Sequence, residues 1–264
     1  MRLNRYLAAA GLGSRRGCEE LIRTGQVTIN GSVCLDLSTT VKPEDTVKVN
    51  NKTIRVEKPF YVLLNKPPGY LCTASDELGR KTIFELLPRN WPRLFNIGRL
   101  DKESEGLLIL TNDGDLALKL THPRYKIDKE YEVVLDKPFD MAHREKLLKG
   151  IYIEGGRAKA ESVHHLAQNR LKLVLRQGLK RQIRLMMYDL GYDVKLLART
   201  RIGSLKLDVH RGEWRLLTDH EVKNLVQEEK QERKPAPKRA PRPPRRDKKP
   251  ALAKDSPKRR RRGR

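Results

Sequence analysis

The carboxylate best placed for chemistry in this sequence is Asp101, in the segment Gly98-Arg99-Leu100-Asp101-Lys102-Glu103-Ser104-Glu105-Gly106. Arg99 and Lys102 lie beside it, and we expect Asp101 to stay ionised because nearby opposite charge lowers the pKa of a carboxyl group. An ionised carboxylate can act as a nucleophile or as a base. A charged stretch ahead of a strand is also typical of a solvated loop, so the segment alone leaves both interpretations open.

Two clusters of basic residues indicate an anionic partner. One surrounds the start of a predicted helix that follows Gly178, and the start of a helix lined with arginines favours anions. It consists of Arg176, Lys180, Arg181 and Arg184. The other lies on two short N-terminal helices with few acidic neighbours, and it suits contacts with phosphates. It consists of Arg2, Arg5, Arg15, Arg16 and Arg23.

Metal and nucleotide chemistry find little support in the sequence. His164 and His165 are adjacent in a predicted extended stretch, so their side chains point to opposite faces and cannot share a metal. The sequence contains neither an HExxH motif nor a Cys pair with zinc-ligand spacing. It also lacks a GxGxxG loop, a Walker A motif and a Gly-x-Ser-x-Gly turn. We therefore predict no metal site and no nucleotide cofactor.

The overall composition is strongly basic, with 57 Lys and Arg against 33 Asp and Glu in 264 residues, a formal net charge of +24. Residues 230–264 contribute much of this charge and 7 of the 15 prolines. They contain almost no large apolar side chains, so we predict a disordered tail that adds RNA affinity independent of sequence. No apolar run approaches the roughly 20 residues of a membrane-spanning helix. Three widely spaced cysteines and the polar N-terminus favour a cytoplasmic protein that meets nucleic acid.

The first fifty residues are predicted to form a module of two helices and a small sheet. Leu3, Leu7 and Ala10 follow helical spacing, and Ser14 is a suitable N-cap for a second helix over Arg15–Thr24. The dipeptide Asn30-Gly31 supplies the two positive φ values of a type I′ turn. It joins two predicted strands, Val27–Ile29 and Val33–Leu35, and a third strand is predicted at Thr46–Val49. The polar residues 51–59 are predicted to be a linker.

Residues 60–229 are predicted to form a second, larger domain. Strands are predicted at Tyr61–Leu64, Leu107–Thr111, Glu130–Leu135, Arg170–Arg176, Val194–Leu197 and Ser204–Leu207. Helices are predicted at Asp115–Leu120, at Met141–Lys149, after Gly178 with Ile183, Met187 and Leu190 on its buried side, and after the capping pattern Thr218-Asp219-His220-Glu221. Strands joined by turns, with helices between them, indicate an α+β fold with a largely antiparallel sheet.

The N-terminal module resembles the S4 RNA-binding domain, through Arg2-Leu3-Asn4-Arg5-Tyr6-Leu7 and Gly25-Gln26-Val27-Thr28-Ile29-Asn30-Gly31. Residues 60–225 resemble an RNA pseudouridine synthase of the RsuA type, the ribosomal-RNA branch that also includes RluB-like enzymes. The blocks that carry this resemblance are Leu64-Asn65-Lys66-Pro67-Pro68-Gly69, Gly98-Arg99-Leu100-Asp101 with Gly106-Leu107-Leu108 and Thr111-Asn112-Asp113-Gly114, Lys129-Glu130-Tyr131, and Gln177-Gly178-Leu179-Lys180-Arg181-Gln182-Ile183-Arg184.

The resemblance implies a cofactor-free isomerisation of uridine, in which uracil leaves its ribose and rejoins it through C5. Asp101 corresponds to the nucleophilic aspartate, and Arg184 to an arginine that pairs with it. Tyr131 corresponds to a tyrosine that lies against the uracil ring. Arg99 is expected to fill the gap left by the flipped uridine, and Lys180 and Arg181 to hold backbone phosphates. The expected partner is ribosomal RNA or a ribosomal subunit assembly intermediate, bound by a monomer.

Two alternatives remain open at this stage. The chain could be a catalytically inactive S4-type ribosome-assembly factor, although its Asp101, Tyr131 and Arg184 match the family pattern. The enzyme could instead act on transfer or messenger RNA. The context Leu71-Cys72-Thr73 and Gly79-Arg80 favours large-subunit over small-subunit ribosomal RNA, but the sequence does not identify the uridine.

Overall fold

The structure is a computed structural model that describes residues 1–231, with side chains described as far as Leu225. The predicted disordered tail spans residues 230–264. From residue 232 onwards it lies outside the residues that the structure describes. Within the described part, none of the helices is long and apolar enough to span a membrane.

The N-terminal module packs two helices against a four-stranded antiparallel sheet. The helices are α1 (Leu3–Ala9) and α2 (Arg15–Arg23). The strands are β1 (Val27–Ile29), β2 (Ser32–Val33), β3 (Val47–Val49) and β4 (Lys52–Thr53), in the order β2-β1-β3-β4.

Local signals explain where these elements begin and turn. The Ser14 hydroxyl accepts a hydrogen bond from the Gly17 amide at 3.0 Å, which is the predicted N-cap of α2. Asn30 and Gly31 have φ values of 52° and 88°, as the predicted type I′ turn requires. Strand β4 pairs with β3, so the sheet of the module continues into residues 51–59.

The larger domain contains eleven strands and four helices within the described residues. Its strands are β5 (Tyr61–Lys66), β6 (Phe95–Ile97), β7 (Glu105–Thr111), β8 (Lys129–Leu135), β9 (Ile151–Ile153), β10 (Gly156–Ala158), β11 (Ser162–Ala167), β12 (Arg170–Leu175), β13 (Val194–Ile202), β14 (Leu205–Lys206) and β15 (Trp214–Leu216). Its helices are α3 (Gly114–Thr121), α4 (Arg144–Lys149), α5 (Gln182–Asp189) and α6 (Asp219–Gln231). Short 3-10 helices cover Ile83–Leu86, Pro123–Tyr125 and Met141–His143.

Nine of these strands form one sheet in the order β11-β12-β8-β13-β7-β5-β15, with β6 paired to β7 and β14 to β13. The pairing of β13 with β7 is parallel and the other strand pairs of this sheet are antiparallel. Strands β9 and β10 form a separate hairpin. The prediction of an α+β fold with a largely antiparallel mixed sheet is confirmed.

The parallel junction in the middle of the sheet depends on Gly106. Its register partner on β13 is Arg199, and its φ is +104°. A Cβ atom at this position would lie 2.3 Å from the Arg199 carbonyl oxygen and 2.7 Å from its amide nitrogen. Only glycine allows the two backbones to approach this closely.

Apolar side chains cover both halves of the sheet. Helix α5 places Ile183 and Met187 against β8 and β12, as predicted. Helix α3 packs Leu116 and Leu120 against Leu107. On the other side of β5 and β7 lies a third cluster, made of Val62, Leu64, Ile83, Leu94, Leu108 and Leu110.

Several predicted boundaries differ from the structure. The predicted strand Val33–Leu35 stops at Val33, because both end residues are exposed and bury no apolar face. The first turn of the predicted helix Met141–Lys149 is 3-10, begun by the Asp140 side chain, which accepts a hydrogen bond from the Ala142 amide. Strand β13 runs to Ile202 rather than ending at Leu197, because it pairs with β8 along its length.

Candidate active site

Asp101 lies in the loop between β6 and β7, where the chain turns back towards the parallel junction. The Ser104 amide donates to the Asp101 carbonyl at 3.1 Å, and the Gly69 amide donates to the Lys102 carbonyl at 2.7 Å. The Leu100 amide points at the Cys72 sulfur, 3.4 Å away. Hydrogen bonds thus fix the backbone on both sides of Asp101, while its side chain stays half-buried.

Lys66, at the end of β5, holds this loop from inside the protein. Its side chain is fully buried, and its ammonium lies within hydrogen-bond distance of the carbonyl oxygens of Pro67, Asp101, Lys102 and Ser104, at 2.7–3.2 Å. Burial lowers the pKa of Lys66, and nearby acidic side chains oppose that shift. A buried ammonium needs hydrogen-bond acceptors. In the folded domain the Lys66 ammonium therefore holds these four carbonyl oxygens around itself.

A cleft of about 660 Å³ opens beside Asp101. Strand β8 supplies Tyr131 to its wall, and the loops after β12 and around residue 75 supply the other sides. Predicted site residues lining it are Asp101, Arg99, Tyr131 and Lys180. A smaller adjoining pocket of about 70 Å³ is lined in part by Asp101, Arg99, Tyr131 and Arg181. These spaces could receive one flipped nucleotide next to the carboxylate.

The floor of the cleft contains two further cations. Lys129 precedes Tyr131 by two residues on β8, so both side chains point to the same face. Arg199 is the register partner of Tyr131 on β13. Lys129 and Arg199 both line the cleft. Arg199 is only 2% exposed, and its Nε donates to the Leu107 carbonyl at 2.7 Å.

The position of Arg184 corrects one expectation. It lies on α5 and its Nη1 donates to the Val194 carbonyl at 2.9 Å. Among the described residues, no ion pair joins it to Asp101. Burial and the charge of Arg181 lower the pKa of Arg184, and Glu103 and Asp101 oppose this shift. Asp101 therefore influences Arg184 through space, while the Val194 carbonyl holds the guanidinium; its Nε is buried without a partner.

The remaining predicted cations of this region are exposed or partly exposed. Arg181 forms an ion pair with Glu103 at 3.3 Å, so it joins the start of α5 to the loop of Asp101. Arg99 and Lys180 are exposed at the cleft. Arg176 pairs with Asp128 at 2.7 Å. Arg99, Lys180 and Arg176 thus line the cleft and Arg181 lines the adjoining pocket, whereas Arg184 is not among the residues that line either space.

The N-terminal arginines divide into two groups. Arg2, Arg15 and Arg16 are exposed, and Arg23 is exposed within 3.9 Å of Glu20. Arg5 instead forms an ion pair with Asp115 on α3. Arg5 therefore helps to connect the module to the larger domain, a contact that sequence reasoning did not anticipate.

Three functional candidates were not identified from the sequence: Lys66, Lys129 and Arg199. A lysine that ends an apolar strand, as Lys66 does, is a signal that could have found the first. The two-residue spacing of Lys129 and Tyr131 could have found the second. Arg199 lies beyond the predicted end of its strand, so its burial depends on tertiary pairing alone.

Residues 60–189 match the RNA pseudouridylate synthase family and residues 1–47 match the S4 domain. A ribosomal large subunit pseudouridine synthase B of Bacillus subtilis is 38% identical over 85% of this chain and 95% of its own length. The dual-specificity RNA pseudouridine synthase RluF of Escherichia coli is 39% identical over 91% of this chain and 84% of its own length.

The fold is also similar to that of a pseudouridylate synthase. A crystal structure of a pseudouridylate synthase superimposes with a TM-score of 0.64 and 29% identity, covering 86% of this chain and all of the other. Its agreement spans both the module and the domain that holds the cleft, and none of these matches supports the inactive-factor alternative. The chain belongs to the RNA pseudouridine synthase family and is an RNA pseudouridine synthase with an N-terminal S4 domain.

Proposed function

We propose that this enzyme converts a specific uridine of large-subunit ribosomal RNA into pseudouridine, with Asp101 as its nucleophile. The observation that carries the proposal is the position of Asp101, which is half-buried and lines a cleft of about 660 Å³ together with Tyr131. The Bacillus subtilis relative, whose name refers to the ribosomal large subunit, favours that RNA.

The reaction exchanges one bond of the base for another. The bond between N1 of uracil and C1′ of ribose breaks, the base turns, and a bond forms between C5 and C1′. The C5 proton leaves, and N1 is protonated in the product. The Asp101 carboxylate can start this sequence either by bonding to C1′ or by taking the C2′ proton. Either route requires the target uridine to leave its stack and enter the cleft.

Each remaining site residue has a proposed role that fits its position. Tyr131 packs against the uracil ring from β8 and is a candidate for proton transfer. Arg184 contributes positive potential near the Asp101 carboxylate without a direct ion pair. Arg99, exposed at the cleft, replaces the flipped base in its stack. Lys180 and Arg181 contact backbone phosphates at the rim of the cleft.

The N-terminal module supplies affinity for the folded RNA. Exposed arginines on the module suit phosphate contacts along a ribosomal RNA hairpin. They are Arg2, Arg15, Arg16 and Arg23. We expect a cytoplasmic enzyme that acts as a monomer on free ribosomal RNA or on an assembly intermediate.

Modification mapping tests the proposal. Unmodified large-subunit and small-subunit ribosomal RNA transcripts from Bacillus subtilis are incubated with the wild-type protein and with Asp101→Asn, and pseudouridine is located by nucleoside mass spectrometry and primer extension. We expect pseudouridine at a defined site of the large-subunit RNA with wild type and none with the variant. Pseudouridine confined to the small-subunit RNA would overturn the substrate assignment, and modification by both proteins would overturn the role of Asp101.

A further inference from the structure

The floor of the cleft carries positive charge that the roles assigned above do not use. Lys129 and Arg199 line it together with Asp101 and Tyr131. Among the described residues, neither of these two cations forms an ion pair with a carboxylate. Asp128, the carboxylate whose charge acts on Lys129, is paired with Arg176 at 2.7 Å. A half-buried site with uncompensated cations is poised to receive negative charge.

Arg199 is the more constrained of the two. Its side chain is 2% exposed and is anchored by the single bond from Nε to the Leu107 carbonyl. Its Nη2 is buried with no hydrogen-bond partner. A buried guanidinium donor without an acceptor costs stability. The close approach that requires glycine at position 106 fixes the backbone of Arg199 at this place.

The Lys129 ammonium donates one hydrogen bond, to the Ile127 carbonyl oxygen at 3.1 Å. Burial, together with the charge of Arg199, lowers the pKa of Lys129 to about 8, and Asp128 opposes the shift. Lys129 and Arg199 lie close together, since Arg199 pairs with Tyr131, two residues along β8 from Lys129, and both line the cleft. The ammonium has two protons left for a ligand in the cleft.

We propose that Lys129 and Arg199 are further catalytic residues that stabilise the negative charge on uracil when its bond to C1′ breaks. This inference rests on the proposed function. The electron pair of the N1–C1′ bond stays with N1 and spreads over O2 and O4 of the ring. Donors fixed beside Tyr131 face the ring that carries this charge, and fixed donors stabilise charge that develops during a reaction. When C5 bonds to C1′ the charge is consumed, so the two cations need no permanent counterion.

The sharpest test compares Lys129→Met with Lys129→Arg, which keeps the charge. Enzyme in saturating excess acts once on large-subunit ribosomal RNA transcripts that carry tritium at C5 of uridine. Forming the C5–C1′ bond releases that tritium into water. We expect Lys129→Met to slow release about 100-fold and Lys129→Arg to restore most of the rate. Affinity for the RNA, measured by filter binding, should change less than about twofold in both.

A matched control is Lys195→Met, since Lys195 is exposed on β13 and is not among the residues that line the cleft. It should leave release unchanged. An unchanged rate in Lys129→Met would overturn the inference. A slower rate that is explained by weaker RNA binding would also overturn the inference. If RNA affinity of the variant also depended less on salt, Lys129 would be a phosphate contact.

The pH profile gives a readout that a purely structural role would not move. Besides Asp128, which acts on the pKa of Lys129, the charged and titratable groups that line the cleft with it are Arg199, Asp101, Tyr131, Arg176, Lys180, Arg99, Lys102, Arg80, Asp76 and Cys72. Because Lys129 acts as a cation, the single-turnover rate of wild type should fall as pH rises through about 8, and Lys129→Arg should hold its rate there. The same decline in Lys129→Arg would contradict the role of the lysine.

Arg199→Lys provides a second variant that retains charge but cannot reach as far. It should slow release while thermal unfolding shows that the protein is folded, and a folded variant with the wild-type rate would overturn the role of Arg199. A wild-type protein that releases no tritium from any ribosomal RNA would defeat the proposed function. Full release by both wild type and Lys129→Met would defeat only this inference.

Discussion

Two cations behind the cleft of Asp101, Lys66 and Arg199, are buried, whereas most arginines of the N-terminal module are exposed. Lys66 is fully buried and Arg199 is 2% exposed, and backbone carbonyls hold both. Arg15 and Arg16 lie on the surface of α2. A buried cation is restricted to one position by its acceptors, so it can set geometry. An exposed cation keeps its hydration and mobility, so it adds affinity without fixing a reacting atom.

This difference between buried and exposed cations predicts that their substitutions affect turnover and RNA binding separately. Substitutions of buried cations should reduce the rate at saturating RNA, and they should also destabilise the domain. Substitutions of exposed cations should weaken binding and leave that rate unchanged.

Lys66→Met should give the largest effect, since it removes the ammonium shared by four carbonyls. Leaving buried acceptors unpaired costs about 1–3 kcal/mol each before relaxation, so we expect a loss of about 3 kcal/mol in the free energy of unfolding. Turnover should fall at least about 100-fold because the loop of Asp101 is released. Urea unfolding and single-turnover tritium release measure the two effects. Lys58→Met, an exposed lysine just before the same strand, is the matched control.

A Lys66→Met protein with normal turnover would contradict the claim that buried cations set the geometry around Asp101. It would mean that hydrogen bonds from Gly69 and Ser104 position the loop without help from the buried ammonium.

Gly106→Ala should have the next largest effect. The new Cβ would lie 2.3 Å from the Arg199 carbonyl oxygen, and the φ of +104° is unfavourable for alanine. We expect a loss of about 2 kcal/mol in the free energy of unfolding and slower turnover, since Arg199 must shift. Gly114→Ala is the control, because no atom lies within 4 Å of its added Cβ. Equal stabilities of the two variants in urea would contradict the tight junction between β7 and β13.

The smallest effect on turnover should come from Arg15→Ala combined with Arg16→Ala. Both side chains are exposed and neither forms a salt bridge among the described residues. We expect weaker RNA binding and a plot of log affinity against log salt that is less steep by about 2, or roughly 0.9 for each phosphate contact removed. The rate at saturating RNA should stay within about twofold of wild type. Filter binding at several salt concentrations measures the slope, and a large loss of rate at saturation would place α2 at the reaction.

Elements governed by local signals were predictable from the sequence. The Asn30-Gly31 turn, the Ser14 N-cap and the buried face of α5 all depend on residues close together in the chain. The resemblance to a known family also indicated Asp101 and Tyr131, and the structure places both at one cleft.

Features that depend on distant residues were not predictable. Lys66 meets the loop of Asp101 across 35 positions of sequence, and Arg199 donates to a carbonyl 92 positions away. Arg5 pairs with an acid of the other domain. The expected ion pair between Arg184 and Asp101 is not found among the described residues. The Arg184 guanidinium instead donates to the carbonyl of Val194 on the next strand. The bond of Arg199 follows from the pairing of β13 with β7, and the other contacts arise where separate elements pack together. A local sequence pattern does not reveal either.

We propose that the Asp101 carboxylate carries the reaction and is not needed for RNA binding. Asp101→Asn keeps the size of the side chain and removes its charge, so single-turnover tritium release and filter binding on the same large-subunit ribosomal RNA test the claim directly. We predict no detectable release by the variant and an affinity within about twofold of wild type. Release at a rate close to that of wild type would contradict the account.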